Sequence, residues 1–98
     1  MNEQITLIDV DRVLANGQEQ RTETKRTVWA GVRSVTRSEF YQSQQAGLNA
    51  ALVMKVNTEE LGGAEYAEFE DRRYKILRIY RLDAQYSELT VEELKGVR

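Results

Sequence analysis

The chain has 98 residues, with 14 Lys and Arg against 16 Asp and Glu, which gives a formal net charge of −2. This length suits one domain, and the charge balance excludes a protein that coats nucleic acid through bulk positive charge. The sequence contains no Cys and no His, so disulfides, thiolate zinc sites and His-based acid–base catalysis are excluded. No apolar run approaches the ~20 residues of a membrane span, and the first residues do not resemble a secretory signal.

The first part of the chain predicts a strand, a tight turn and a polar segment. Residues 5–14 are rich in β-branched side chains and predict a strand. Asn16-Gly17 is typical of a two-residue hairpin turn. The following segment, Gln18 to Arg26, has no apolar side chain beyond the Thr methyl groups. We interpret it as a mobile loop or as an arm that becomes ordered against a partner.

A second strand and one helix follow this polar segment. Residues 27–35 predict a strand with Val28 on an aliphatic face and Trp29 on the opposite face. Thr36 and Glu39 have the spacing of a capping box, and Gly47 suits the C′ position of a helix. The sequence therefore predicts a helix from Arg37 to about Ala46.

The second half of the chain predicts shorter strands. Residues 52–57 alternate as a strand with Leu52, Met54 and Val56 inward, and Gly62-Gly63 marks a turn. Residues 65–70 predict a strand with Tyr66 or Phe69 inward. A tight turn is expected at residues 71–73, and then a strand over residues 74–82. On that strand Tyr74, Ile76, Arg78 and Tyr80 are predicted to share one face.

The last segment can be interpreted in two ways from its local pattern. Residues 86–91 alternate as in a strand, but Thr90 and Glu93 also have capping-box spacing. The elements together predict a mainly β protein, a small antiparallel β-barrel or rolled sheet of about six strands with one short α-helix inserted at about 37–46. We treat residues 1–98 as a single domain with a polar protruding arm at about 18–26.

Two adjacent blocks of opposite charge are the main candidates for function. The acidic block lies between Lys55 and Arg72 and does not have the spacing of an EF-hand. The basic block, residues 72–81, carries interleaved tyrosines. Three interpretations stay open: a solvated hairpin with ion pairs inside the chain, a single-stranded nucleic-acid surface, and a contact between subunits of a ring. The candidate interface charges are Glu68, Glu70, Arg72, Arg73 and Lys75.

Several stretches of the chain are similar to the head-tail joining (head-closure, or stopper) proteins of tailed bacteriophages. The stretches are Thr27-Val28-Trp29-Ala30-Gly31-Val32, Ser38-Glu39-Phe40-Tyr41-Gln42, Gln45-Ala46-Gly47, Arg73-Tyr74-Lys75-Ile76 and Tyr86-Ser87-Glu88-Leu89-Thr90-Val91-Glu92-Glu93. The similarity extends from about Ile5 to Glu93. Val91 stands where members usually have a more aromatic or Cys-containing end. The resemblance favours a strand at Thr90, so we expect a strand through about Glu93.

This resemblance implies a small β-barrel with one helix that assembles into a ring, commonly of twelve subunits, in the neck of the virion. Such a ring lies below the portal or adaptor ring and above the tail proteins. It helps to retain packaged DNA and provides a docking surface for the tail. A related tail-completion protein of the neck would look much the same. Localisation would then be the virion, assembled in the bacterial host cytoplasm, with no membrane partner.

The resemblance also implies that the polar segment is the long loop of the family, which reaches toward neighbouring rings or the channel. The candidate inter-subunit or channel residues of this arm are Arg21, Glu23, Lys25 and Arg26, with DNA in the channel as a possible partner. We predict no catalytic, cofactor-binding or metal-binding residues and expect a protein that is not an enzyme. Replacing residues 18–26 with a short Gly-Ser turn is expected to leave the barrel folded with near-native thermal stability.

Overall fold

Six antiparallel strands form one closed barrel, and this confirms the predicted fold class. The structure is a computed structural model that describes residues 2–95; residue 1 and residues 96–98 of the predicted domain lie outside the described part. The elements are β1 (Glu3–Ala15), β2 (Gln18–Ser34), α1 (Arg37–Gln45), β3 (Leu52–Asn57), α2 (Thr58–Leu61), β4 (Ala64–Phe69), β5 (Arg72–Arg81) and β6 (Tyr86–Glu93). Around the barrel the strands follow the order β1-β2-β3-β6-β5-β4.

Because all neighbouring strands are antiparallel, the barrel has two distinct ends. The β1–β2 turn, α2 and the loop at residues 82–85 lie at one end, which we call the hairpin end. Helix α1 and the β4–β5 turn lie at the other, which we call the helix end. The two ends therefore present different surfaces to any neighbour.

The barrel interior is filled by aliphatic side chains from all six strands. Leu7, Met54, Val56, Leu89 and Val91 are completely buried. Ala30 and Ala67 are also inside, where small side chains allow opposite walls to approach. The predicted inward positions of β3 are confirmed, although Leu52 is only partly buried. Val28 is buried and Trp29 is exposed, as the alternation of β2 predicts.

Helix α1 begins and ends where its signals predict. The Thr36 side chain accepts a hydrogen bond from Glu39 N, and the Glu39 carboxylate accepts one from Thr36 N at 2.8 Å. Gly47 follows the C-cap with φ +77. The helix has no buried residue, so it lies on the outside of the barrel.

The expectation of a loop or unpaired arm over residues 18–26 is wrong. These residues form the first half of β2 and pair with β1 from Ala15↔Gln18 to Leu7↔Arg26. Asn16 and Gly17 both have positive φ, as a two-residue turn of the predicted type requires. Backbone pairing within the chain therefore orders this segment, although most of its side chains remain exposed.

The region between β3 and β5 differs from the prediction in two places, the short helix α2 and the position of the tight turn. The short helix α2 was not predicted, although Asn57 caps it by accepting a hydrogen bond from Glu59 N. On β4, Ala64 and Ala67 are buried and Phe69 packs against the core, which confirms the predicted alternative in which Phe69, and not Tyr66, points inward. A bulge opposite Ile8 and Asp9 shifts the alternation of this strand. The tight turn is at residues 70–71, both with positive φ, instead of at 71–73.

A second bulge corrects the predicted faces of β5. Ile76 pairs with Val91 but Arg78 pairs with Thr90, so Leu77 is the extra residue. Tyr74 and Ile76 face the core as predicted, whereas Arg78 and Tyr80 do not share their face. Strand β6 runs through Glu93 as a strand, which confirms the interpretation that the family resemblance favoured over a second helix.

Candidate subunit interface

The β1–β2 hairpin projects beyond the barrel at the hairpin end. Strand β4 pairs with β1 only up to Asp9, and β3 pairs with β2 only from Ala30. Residues 10–23 therefore form a two-stranded ribbon, which we call the ribbon. From Val10 to Asn16 it extends by about 20 Å at ~3.4 Å per residue. The overall dimensions, 47 × 30 × 25 Å, reflect this projection.

Arg26, at the base of the ribbon, connects β2 to β1 and to helix α2. Its Nε donates to Glu60 O at 2.8 Å, its Nη1 donates to Asp9 Oδ1 at 2.8 Å, and its Nη2 donates to Leu61 O. The Arg26 guanidinium therefore uses its donors in hydrogen bonds within its own chain. The candidate channel role of Arg26 therefore has no support in its surroundings.

Of the other three candidate arm residues, Glu23 and Lys25 pair with strands β5 and β4 of the same chain, and Arg21 pairs with Glu23. Arg73 Nη2 donates to Glu23 Oε1 at 2.7 Å, and this hydrogen bond lowers the pKa of Glu23 below its ordinary value. Lys25 Nζ lies 3.6 Å from Glu68 Oε2. Arg21 Nη2 lies 3.5 Å from Glu23 Oε2. These contacts hold the part of β2 nearest the barrel against strands β4 and β5.

An aromatic ring lies at the centre of this charged group. The guanidinium groups of Arg21 and Arg73 stand 5.4 and 5.3 Å from the ring centroid of Tyr66, distances typical of cation–π contacts. Ile8 lies beside Tyr66 in the register and is fully buried, yet it is not part of the core cluster. The outer wall thus has its own small apolar contact beneath the charges.

Three of the five candidate interface charges are paired inside the chain. Glu68 approaches Lys25 and Arg73, and Arg72 Nη1 lies 3.4 Å from Glu93 Oε1. Within residues 2–95, Glu70 and Lys75 have no ion pair. Among these pairs only Arg73 Nε–Glu68 Oε2, at 3.9 Å, joins the two charge blocks, and the other partners lie on β2 and β6.

Sequence reasoning missed two ion pairs that join distant parts of the chain. Arg12 on the ribbon donates two hydrogen bonds to Glu65, at 3.1 and 3.2 Å, and lowers the pKa of that carboxyl. Arg33 donates two to Glu39 and, together with the Thr36 N–H, lowers the pKa of Glu39 to about 2. No local pattern predicts the first pair, since 53 residues separate its members. Six residues separate the second pair, which the capping box alone does not indicate.

Large apolar side chains are exposed in four places, one of which is Trp29 on β2. Val13 and Leu14 lie near the ribbon turn, and Phe40 and Tyr41 lie on α1. The fourth group, Ile79, Tyr80 and Leu82, lies at the hairpin end of β5. Of these side chains, Tyr80 lies in the basic block that was predicted as a possible contact surface, whereas those of the ribbon turn and of α1 were not predicted as contacts.

Three strand edges are open at the hairpin end of the described residues, and one of them is the edge of β1 beyond Asp9. Within the described residues, β2 has no partner on its second edge from Gln18 to Trp29. Strand β5 likewise has no partner opposite β6 over residues 76–81. Open edges present unpaired N–H and C=O groups that can pair with another chain.

Three further observations describe the surface of residues 2–95. No group of three or more Asp and Glu side chains in residues 2–95 is arranged to hold a metal ion. No helix in the same part of the chain is long and apolar enough to cross a bilayer. The clefts near the β4–β5 turn and near α1 are open and lined mainly by charged and polar side chains.

Comparisons with known proteins identify no relative: no family model matches the chain, and no curated protein matches it significantly.

Proposed function

We propose that this chain is a structural protein of the neck of a tailed bacteriophage. It forms a ring, of twelve subunits in the family that the sequence resembles, which helps to retain packaged DNA and offers a docking surface to the tail. Its partners are copies of itself, the portal or adaptor ring above and tail proteins below. The proposal includes no catalytic activity and no cofactor.

The observation that carries this proposal is the ribbon on a closed barrel. A closed barrel buries its own core, so the ribbon is not needed to complete it. The ribbon still retains about 14 residues in regular strand pairing and keeps both outer edges open. An ordered projection with an open edge suits a subunit that contacts neighbours in an assembly, which is what the sequence resemblance also implies.

The proposal is tested on particles of the phage that encodes the chain. Immunogold labelling with antibody to the chain is expected to mark the neck of tailed particles. An amber mutation in the gene is expected to yield separate heads and tails, and heads that lose DNA. A suppressor strain, which restores the chain, provides the control. Tail-joined, DNA-filled particles at normal yield without the chain would refute the proposal.

A single-stranded nucleic-acid-binding barrel is the alternative, and one observation favours it. Tyr80 is exposed, with the Arg78 guanidinium 5.7 Å from its ring centroid, an arrangement on which a base can stack. The second predicted stacking ring, Tyr74, is only 5% exposed and faces the core. Fluorescence anisotropy with a labelled oligonucleotide, titrated at two salt concentrations, distinguishes the two functions. Salt-dependent binding that Tyr80→Ala reduces tenfold would support the alternative.

A further inference from the structure

We propose that the tip of the ribbon in one copy docks on the open edge of β5 in a second copy. The ribbon tip is residues 13–20, and the β5 edge is residues 76–82. This inference rests on the proposed ring and names the contact that builds it. It follows from exposed apolar side chains, unpaired backbone and unpaired charge, all located at these two places.

The ribbon tip exposes apolar side chains that its own chain does not cover. Leu14 is 77% exposed and Val13 is 54% exposed. They point to opposite faces of the ribbon, since adjacent strand residues alternate. The two-residue turn at Asn16-Gly17 keeps the tip narrow and rigid. A narrow tip with an apolar residue on each face is suited to insertion against another sheet.

The β5 edge exposes a side chain that a complete wall would cover. Ile79 pairs with the buried Leu89, but it is 47% exposed. The neighbouring strand β4 begins only at Ala64, so the wall is missing beside residues 76–81. Tyr80 and Leu82 extend the exposed apolar area on the same strand end.

Both surfaces also offer unpaired backbone. Strand β2 is open from Gln18 to Trp29 on the side away from β1, and β5 is open over residues 76–81 on the side away from β6, within the described chain. An edge-to-edge contact would pair these N–H and C=O groups and continue the sheet from one copy into the next. Such strand addition supplies hydrogen bonds, while the apolar side chains supply buried area.

The charges of the two surfaces are complementary. Glu19 on the tip has no ion pair within residues 2–95, and neither Arg78 nor Arg81 on the β5 edge has one. Arg81 Nε only donates a 3.3 Å hydrogen bond to Asp83 O. An acidic tip facing a basic edge favours this encounter over tip-to-tip or edge-to-edge contact of identical surfaces.

The arrangement dictates the form of the assembly. The tip and the edge are different surfaces, so each copy donates one tip and accepts one tip. Contacts of this heterologous kind continue from copy to copy and form a ring when the rotation between neighbouring copies closes. A symmetric dimer would instead use both contacts reciprocally between the same two copies.

Three variants test the contact by analytical ultracentrifugation. Leu14→Asp places a charge on the apolar ribbon tip and leaves the β5 edge unchanged. Ile79→Asp places a charge on the β5 edge and leaves the tip unchanged. Tyr41→Asp, at a position 60% exposed on α1, is the matched control. Arg81→Glu replaces Ile79→Asp if circular dichroism shows that the latter does not fold.

We expect the wild type and Tyr41→Asp to form oligomers as the concentration rises. Each defective variant alone should associate at least tenfold more weakly. An equimolar mixture of the two should form a heterodimer that grows no further, because it joins one intact tip to one intact edge. Undiminished assembly of either variant, or no heterodimer in the mixture, would refute the contact.

A wild type that stays monomeric at 1 mM, a concentration about a thousandfold above a micromolar Kd, would also refute the contact. That result would not affect the neck assignment, which the labelling and amber experiments test separately. Conversely, loss of the neck assignment with an intact heterodimer would refute only the proposed function.

Discussion

Arg26 occupies the space beside Gly62 that a side chain would need. A Cβ on Gly62 would lie 2.6 Å from Arg26 Nη2 and 3.5 Å from Asp9 Oδ2. The glycine also has φ 55 and ψ −140, a backbone conformation that L residues rarely adopt. The end of α2, the base of the ribbon and the mouth of the barrel are thus joined at one point.

Gly62→Ala should destabilise the chain by about 2–4 kcal/mol, because the new Cβ displaces the guanidinium and the backbone is strained. Gly63→Ala is the matched control, since a Cβ there meets nothing within 4 Å. Urea unfolding followed by circular dichroism measures both free energies. Equal stability of the two variants would contradict this account of the Arg26–Gly62 contact.

Arg26→Ala should cost about 2–3 kcal/mol, because the Glu60 and Leu61 carbonyls and the Asp9 carboxylate lose their donor together. The adjacent Lys25→Ala should cost less than about 0.5 kcal/mol, since its 3.6 Å pair with Glu68 is exposed. In thermal unfolding, the Tm of Arg26→Ala should therefore be clearly lower than that of Lys25→Ala. A Lys25→Ala variant with a Tm as low as that of Arg26→Ala would show that the exposed charges of β2, rather than the hydrogen bonds of Arg26, determine stability.

Shortening the ribbon should separate assembly from folding. Replacing residues 12–21 with Asn-Gly keeps Glu23 and Arg26, so we expect the barrel to remain folded with a Tm lowered by only a few degrees. Replacing residues 18–26 instead removes the Arg26 contacts and should lower the Tm much further, contrary to our expectation from the sequence. Differential scanning calorimetry compares the two. Similar Tm values for both would mean that Arg26 is dispensable.

Stability should depend on pH through Glu39 between about pH 4.5 and pH 2. The Arg33 and Thr36 hydrogen bonds lower its pKa to about 2 in the folded chain, from an ordinary value of 4.5. Folding therefore gains from the carboxylate above pH 4.5 and loses that gain as the pH falls through 2. The side chain is 35% exposed, so solvent screening keeps the gain below about 1 kcal/mol.

Glu39→Gln measures this effect as a difference in Tm from the wild type. The difference should be largest above pH 5 and should shrink steadily toward pH 2. Arg33→Gln, which removes the partner guanidinium, should show its difference over the same pH range. If the Tm difference between Glu39→Gln and the wild type stayed constant from pH 6 to pH 2, the lowered pKa of Glu39 would be contradicted.

Features with a local cause could be predicted from the sequence. The capping box at Thr36 and Glu39 and the turn at Asn16-Gly17 depend on residues close in the chain, and both were predicted correctly. Strand β3 was predicted with its observed bounds because it alternates and is bordered by turn residues. These elements were sufficient to indicate the barrel.

Features determined by distant partners could not be predicted. The bulge at Leu77 shifts the faces of β5 because β6 pairs on both sides of it, and no pattern within β5 shows this. The side chains of residues 18–26 are almost all exposed to solvent, and none is apolar. This segment therefore shows no hydrophobic periodicity from which a strand could be predicted. The Glu70-Asp71 turn lacks glycine, which is the usual indicator of positive φ.

The alternating charges of the ribbon have a consequence for the protein at high concentration. Glu19, Arg21, Glu23 and Lys25 share one face of β2 and change sign at every second residue. If identical ribbons stacked in parallel and in register, as in amyloid fibrils, each charge would face its own kind, which costs free energy. The open edge therefore resists fibril formation by like chains, while a strand of different sequence can still pair with it.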